Sequence, residues 1–214
     1  MRVSGATRLL QGLLKFENVF YEYRFGISTR GLSGFTPGDW SHREHIYYGT
    51  IPYRGIFRIL DSLALQRSDV IVDLGCGKGR ILCCALLYHV ARVVGVEDAE
   101  ELVTIARKNL QKMGSRETPT VVVHGKAEDF DYSQGTIFYM FHPFGPITMR
   151  SVLSRIHSRL QQNPRVLRIV YVNPRHDSVL EATEWLERYE RWPALQCTRY
   201  PVSFWRSRPT IVAR

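Results

Sequence analysis

The amino-acid sequence predicts an α/β protein with a doubly wound, mostly parallel sheet. Short apolar runs rich in β-branched residues alternate along the chain with longer segments of helical apolar periodicity, a pattern typical of strand–helix–strand units. The first of these runs leads into a turn with glycines at three alternate positions, Gly75, Gly77 and Gly79, and then into a helical segment. In sheets of this class, a glycine-rich turn between a buried strand and a helix lines the crevice that binds nucleotide-like ligands.

The elements follow in order from apolar periodicity and from turn signals. The apolar periodicity predicts helices over residues 5–24, 56–65, 79–89, 99–112, 147–161 and 178–188. Runs of β-branched and aromatic residues predict strands over residues 70–73, 92–96, 120–124, 136–141 and 166–172. The last segment, residues 195–214, predicts a β-hairpin with a turn near residues 207–209, which adds antiparallel strands at one edge of the sheet.

Two regions are expected: an N-terminal helix with an arm over residues 1–46, and a domain over residues 47–214. Residues 25–46 are rich in Gly, Ser, Thr and Pro, which is typical of a loop. The N-terminal region either covers the functional site or packs on the domain core. The apolar stripe on its helix favours packing.

Composition excludes several classes of protein. The chain has 214 residues and is 44% hydrophobic, and none of its apolar runs approaches the roughly 20 residues that cross a bilayer. Four cysteines suggest no disulfide framework and lack the spacing of zinc ligands. We expect a reduced, cytoplasmic protein with no membrane span and no metal site.

The net charge of +9 is concentrated in one segment. Residues 150–214 hold 12 basic and 5 acidic side chains, whereas residues 46–149 hold 11 of each. A basic surface is typical of proteins that bind nucleic acid or another anionic partner. The alternative is a solvated, arginine-rich surface, because no dense arginine cluster stands out in the sequence.

The spacing of the glycines indicates which ligand they bind. A dinucleotide site needs G-x-G-x-x-G and a P-loop needs G-x-x-x-x-G-K-[ST], whereas residues 73–79 read Asp-Leu-Gly-Cys-Gly-Lys-Gly. This run resembles the S-adenosylmethionine (SAM) site of class I methyltransferases. The resemblance implies SAM as the cofactor and a Rossmann-like, seven-stranded sheet with an antiparallel C-terminal edge hairpin. It also implies a loop against the methionine part of SAM, formed by Asp73, Gly75, Cys76, Gly77 and Gly79.

Two further groups are expected on the adenosine part of SAM. Glu97 ends the second strand, 24 residues after Asp73, which is the distance at which a strand–helix–strand unit brings a carboxylate to a ribose. The alternatives are that Asp98 has this role, or that these acids only favour the start of the next helix. After the third strand, the resemblance implies an adenine contact from the Ala127 backbone and from Glu128 or Asp129.

The loop after the fourth strand reads Phe141-His-Pro-Phe-Gly145. It resembles the Asn/Asp-Pro-Pro-Tyr/Phe loop of amino-group methyltransferases, although His142 replaces the amide or acid and one proline is missing. The resemblance implies that Phe141 borders SAM and that His142 and Phe144 face the methyl acceptor. His142 is then either a hydrogen-bonding partner or base, or a loop residue bonded to the backbone.

Together with Tyr48-Gly49-Thr50 and Gly95-Val-Glu97, this loop resembles the non-SET-domain histone lysine methyltransferase family over roughly residues 47–160. The resemblance implies a lid in which Tyr48, Gly49 and Thr50 touch the amino-acid end of SAM, with Tyr48 as a third candidate catalytic residue. The implied activity is transfer of a methyl group from SAM to a nucleophile, with a protein side-chain nitrogen favoured. The alternatives are a nucleic-acid methyltransferase and a SAM-binding module without catalysis.

Overall fold

The computed structural model describes residues 5–30, 49–114 and 117–209. These residues form one seven-stranded sheet, whose strands are β1 Val70–Leu74, β2 Arg92–Glu97, β3 Thr120–His124, β4 Ile137–Phe141, β5 Arg168–Val172, β6 Leu186–Trp192 and β7 Val202–Ser207. Their spatial order is β3-β2-β1-β4-β5-β7-β6. Strands β1 to β5 are parallel, and β7 is antiparallel to both β5 and β6. The predicted fold class and its antiparallel edge hairpin are confirmed.

Helices cover both faces of the sheet. Their bounds are α1 Gly5–Phe25, α2 Tyr53–Ser62, α3 Arg80–Ala85, α4 Glu100–Lys112, α5 Pro146–Gln162 and α6 Asp177–Glu181, with a 3-10 turn at Ala127–Asp129. Because successive side chains of a strand point to opposite faces, Ile71 packs in the core with α2, α3 and α4, whereas Val72 packs in the core with α5. No helix within the described ranges is long and apolar enough to span a membrane.

The predicted C-terminal elements are wrong in detail. The helix expected over residues 178–188 ends at Glu181, and β6 begins at Leu186. The hairpin is formed by β6 and β7, so its connection lies at residues 193–201 rather than at 207–209. The spacing of charged and apolar residues in β6 is compatible with a helix as well as with a strand. Pairing with β7 and the packing of Trp192 on Phe204, with ring centroids 4.7 Å apart, favour the strand.

The helix expected over residues 79–89 is also shorter than predicted, since α3 ends at Ala85. At the N-terminus, α1 packs against α2 through aromatic side chains. The Tyr21 ring lies 5.1 Å from the Tyr53 ring and 5.2 Å from the Phe57 ring, measured between centroids. Most of the expected arm, residues 31–46, lies outside the described residues.

Candidate functional site

A cavity opens at the carboxyl ends of β1, β2, β3 and β4. It encloses about 640 Å³, including part of its open mouth. Parallel strands bring the loops that follow them to the same edge of the sheet, and this edge is where doubly wound folds bind their ligands. The residues that line the cavity come from the ends of these four strands, from the segments that follow them and from the segment before α2: Gly49, Gly75, Gly77, Val96, Glu97, Asp98, Leu102, Gly125, Ala127, Glu128, Phe141, Pro143 and Phe144.

The glycine-rich loop after β1 contributes Gly75 and Gly77 to one wall of this cavity. Gly75, Gly77 and Gly79 have φ values of +74°, +54° and +80°, a region that other residues enter only at an energetic cost. The N–H groups of Gly75 and Cys76 both donate to the Val96 carbonyl, at 2.9 and 3.0 Å. A Cβ atom on Gly75 would lie 2.7 Å from Cβ of Pro143. Glycine is therefore required there by conformation and by space.

Glu97 connects the end of β2 to this loop. Its Oε2 atom accepts a hydrogen bond from the Gly77 N–H at 2.8 Å, and its Oε1 atom accepts one from the Ala99 N–H at 3.1 Å. Burial raises the pKa of Glu97 above its usual value, although both backbone hydrogen bonds act in the opposite direction. Each carboxylate oxygen can accept a further hydrogen bond. Glu97 can therefore hold a hydroxyl-bearing ligand in the cavity, with Asp98 exposed beside it.

Asp73 lies under the loop, at the end of β1, and does not line the cavity. Its side chain is buried, and burial raises its pKa well above the usual range, with further repulsion from Glu97. Within the described part of the chain, no group donates a hydrogen bond to this carboxylate. Such a buried acid is costly for the protein alone unless it is protonated or finds a donor.

The lining of the cavity continues after β3, where Ala127 begins the 3-10 turn. Glu128 accepts a hydrogen bond from the Thr148 hydroxyl on Oε1 at 3.0 Å. Its other oxygen, Oε2, is buried and lacks a hydrogen-bond partner among the described residues. Buried polar atoms without a partner are rare in folded proteins. An unpaired acceptor on a cavity wall indicates that a bound ligand supplies the missing donor.

The 141–145 loop closes the cavity beyond β4. Phe144 is buried and lines the cavity. His142 has a left-handed backbone, with φ +43°, and its Nδ1 atom lies 3.1 Å from the Tyr171 hydroxyl rather than at the cavity. Burial lowers the pKa of His142 to about 4, with added repulsion from His176 and Arg175. The His142 ring is therefore neutral near pH 7.

The segment before α2 borders the other side. Gly49 lines the cavity, and a Cβ atom on it would lie 3.2 Å from the Phe141 ring. Thr50 does not line this cavity but a neighbouring one, together with Arg80. Tyr48 lies outside the described residues.

The structure thus brings together most of the residues predicted for the site. Those lining the cavity are Gly75, Gly77, Glu97, Asp98, Ala127, Glu128, Phe141 and Phe144. Those outside the lining are Asp73, Cys76, Gly79, His142 and Thr50. The functional roles of all these residues stay predictions. Sequence reasoning missed Val96, Leu102, Gly125 and Pro143, although three of them directly adjoin strand ends or predicted site residues.

Comparisons with known proteins agree with this geometry. Residues 71–163 match the model of a family described as a methyltransferase domain. A "Protein-lysine N-methyltransferase" from Saccharolobus islandicus is 32% identical over 102 residues, which cover 47% of this chain and 63% of that protein. The chain therefore spans less than two thirds of that relative.

Two solved structures share the fold. An RNA methyltransferase from Salinibacter ruber, in complex with S-adenosyl-L-homocysteine (SAH), superposes with a TM-score of 0.55 and 22% identity over 78% of this chain and 97% of that one. A Pyrococcus horikoshii protein described as a candidate RNA methyltransferase gives a TM-score of 0.59 and 19% identity over 91% of this chain and 99% of that one. At these identities the comparisons establish the fold of the chain, a class I methyltransferase fold.

Proposed function

We propose that this protein is a SAM-dependent methyltransferase whose acceptor is a protein side-chain nitrogen. The observation that carries the proposal is the unpaired, buried Glu128 Oε2 atom in a cavity that also holds the glycine-rich loop and the Glu97 carboxylate. The family match over residues 71–163 supports the same activity. These residues fit the groups of SAM, because its adenine amino group and ribose hydroxyls are donors and the wall presents acceptors.

Each part of the cavity then contacts a different part of SAM. Glu97 accepts hydrogen bonds from the ribose, and Glu128 accepts one from the adenine amino group. The Ala127 N–H belongs to the first residue of a 3-10 turn, where backbone donors lack partners within the turn, so it can donate to the adenine ring. The loop at Gly75, with Asp73 beneath it, holds the amino-acid end.

SAM supplies a methyl group on a sulfonium, which is a good leaving group, so the chemistry needs little covalent help from the protein. The residues of this chain contribute mainly by orientation and by excluding water. Phe144 and Phe141 present apolar surface to the cavity. An amine acceptor must lose its proton before attack, and a neutral His142 with a pKa of about 4 is a weak base for that step.

Two observations support a protein acceptor. The relative from Saccharolobus islandicus is named for protein lysine. In addition, six arginines among the described residues of the basic C-terminal segment form ion pairs within the protein, which leaves less free positive charge for a polyanion: Arg155, Arg159, Arg168, Arg188, Arg191 and Arg206.

Methyl transfer from radiolabelled SAM into cell extract tests the proposal directly. The label should appear in material that protease degrades and nuclease leaves intact. Label that nuclease removes would make nucleic acid the acceptor. Calorimetric binding of SAH without any labelling would indicate a binding module, and the absence of SAH binding would contradict the proposal as a whole.

A further inference from the structure

Two basic residues, Lys78 in the glycine-rich loop and Arg80 at the start of α3, have side chains that bind the N-terminal segment rather than the cavity. Glycines 75 and 77 line the cavity. Lys78 Nζ donates to the Arg30 carbonyl at 3.0 Å, and the Arg80 guanidinium is buried among residues from α1 and from the segment before α2. One short loop therefore borders the cavity on one side and the N-terminal segment on the other.

Arg80 is the centre of this second contact. Its Nε atom donates to the Thr29 hydroxyl at 2.7 Å, and Nη2 lies 3.2 Å from Oε1 of Glu22. The guanidinium carbon lies 4.5 Å from the centre of the Tyr53 ring. Burying an arginine is costly unless its charge and its donors are paired. Here the partners come from the N-terminal helix and from the segment next to it.

The same network holds the residues that follow α1. Glu22 Oε1 also accepts hydrogen bonds from the Thr29 N–H and hydroxyl, both at 2.8 Å. Asn109, on α4, accepts from the Ser28 N–H at 3.1 Å and donates to the Lys78 carbonyl at 2.9 Å. The Ser28 amide is therefore bonded to a side chain of α4, whereas the Thr29 amide is bonded to Glu22 within the N-terminal segment itself.

Arg80 also fixes the segment that borders the cavity. Its Nη1 atom donates to the Ile51 carbonyl at 3.0 Å. The Tyr53 N–H donates to Oδ1 of Asn18, 3.2 Å away, so α1 holds the start of α2. Gly49, two residues before Ile51, lines the cavity. Arg80 thus connects the N-terminal helix to Ile51, which lies two residues along the chain from the cavity wall at Gly49.

We propose that Arg80 is a positioning residue that couples docking of the N-terminal segment, residues 18–30, to binding of SAM. This inference rests on the function proposed above. Docking orders the residues around Gly49 and holds the glycine-rich loop in its left-handed conformation, and a ligand in the cavity favours the same arrangement. Because such coupling is reciprocal, SAM binding stabilises the docked segment, and weakening the docking contacts weakens SAM binding.

Three variants test the coupling, with SAH as the ligand in calorimetry. Glu22→Gln removes the negative partner of Arg80 from a residue that does not line the cavity, and Thr29→Val removes the hydroxyl with little change in shape. Glu17→Gln is the matched control, because Glu17 lies on the same helix and pairs with the exposed Arg54, at 3.2 Å. We expect the dissociation constant to rise about tenfold in Glu22→Gln and a few-fold in Thr29→Val, and to stay unchanged in Glu17→Gln.

Amide hydrogen exchange of the unmodified protein gives the second measurement. Addition of SAH should slow exchange at the Ser28 amide, which does not line the cavity, because its hydrogen bond to Asn109 of α4 forms only in the docked state. The coupling is refuted if SAH binds the unmodified protein without slowing this amide, or if folded Glu22→Gln and Thr29→Val bind SAH as the unmodified protein does. If the unmodified protein does not bind SAH, the proposed function fails instead. Should either variant not fold, the exchange measurement still decides.

Discussion

The two walls of the cavity differ in how their polar groups are satisfied. On the wall formed by the glycine-rich loop, Glu97 and Glu128, hydrogen-bonding capacity is left open, and Glu128 Oε2 has no partner among the described residues. In the 141–145 loop, the polar side chain of His142 is bonded to Tyr171, and the side chain that reaches the cavity is the apolar ring of Phe144.

This difference explains why the ligand of one wall can be inferred and the partner of the other cannot. Open acceptors at a fixed spacing specify the donors of a ligand. An apolar ring and an internally bonded histidine specify shape but few polar groups. If the two walls are functionally as separate as their hydrogen bonding indicates, variants of one wall should change SAH binding and variants of the other should change turnover.

The largest effect on SAH binding is expected in the glycine-rich loop. Gly75→Val places a branched side chain against Pro143 and into the cavity, so SAH binding should be undetectable by calorimetry. Gly114→Val is the control, because Gly114 has nearly the same φ, +76° against +74°, yet a Cβ there meets nothing within 4 Å. An equal loss of SAH binding in Gly114→Val would show that backbone strain, and not lost space in the cavity, abolishes binding in Gly75→Val.

A smaller loss is expected on the same wall from Glu97→Gln. Removing the charged acceptor should cost about 1.5–3 kcal/mol of SAH binding, whereas Glu100→Gln, at the exposed start of α4, should bind SAH normally. An unchanged dissociation constant in Glu97→Gln would move the ribose contact to Asp98.

The pH dependence of SAH binding sharpens this prediction. Burial raises the pKa of Glu97, so its carboxylate is present above that pKa and is lost as the pH falls through it. Affinity should therefore begin to fall at a higher pH than an ordinary glutamate, with a pKa of 4.5, would dictate. The component due to Glu97 should be missing from the binding profile of Glu97→Gln.

Variants of the 141–145 loop should affect turnover and leave ligand binding nearly intact. Phe144→Leu and His142→Gln should slow methyl transfer about tenfold by disturbing acceptor orientation, with SAH dissociation constants within about twofold of the unmodified protein. Because the pKa of His142 is about 4, the pH–rate profile should show no inflection from His142 between about pH 5.5 and 8. Parallel loss of SAH binding and turnover would show that this loop is structural, and that the two walls are not separate.

The smallest effect concerns nucleic acid. With six C-terminal arginines paired internally, RNA affinity should be weak and should fall less than about tenfold between 50 and 200 mM salt. Asp129→Asn combined with Asp131→Asn frees Arg155 and Arg159 from their ion pairs, so it should strengthen RNA binding and its salt dependence. A steep salt dependence in the unmodified protein would favour a nucleic-acid acceptor.

Much of the fold could be predicted from the sequence, because the parallel strands are marked by local features. The run from Val70 to Gly79 combines β-branched residues with glycines that tolerate left-handed backbone. The second acid, Glu97, followed from its distance along the chain. The C-terminal hairpin was placed wrongly because the residues of β6 fit either a helix or a strand, and only their pairing with β7 decides between them.

The amino-acid sequence by itself therefore determined the α/β class, the parallel strands around the glycine-rich turn and the edge of the sheet at which the cavity opens. These depend on periodicity and on glycine conformation, which are local properties of the chain. The tertiary structure decided which side chains have partners. The C-terminal arginines are partly neutralised by acids that lie far earlier in the sequence, as Arg168 is by Asp69 at 2.8 Å, and Arg80 is buried by partners from α1. Burial and pairing depend on contacts between distant segments, so they become visible only once the chain has folded.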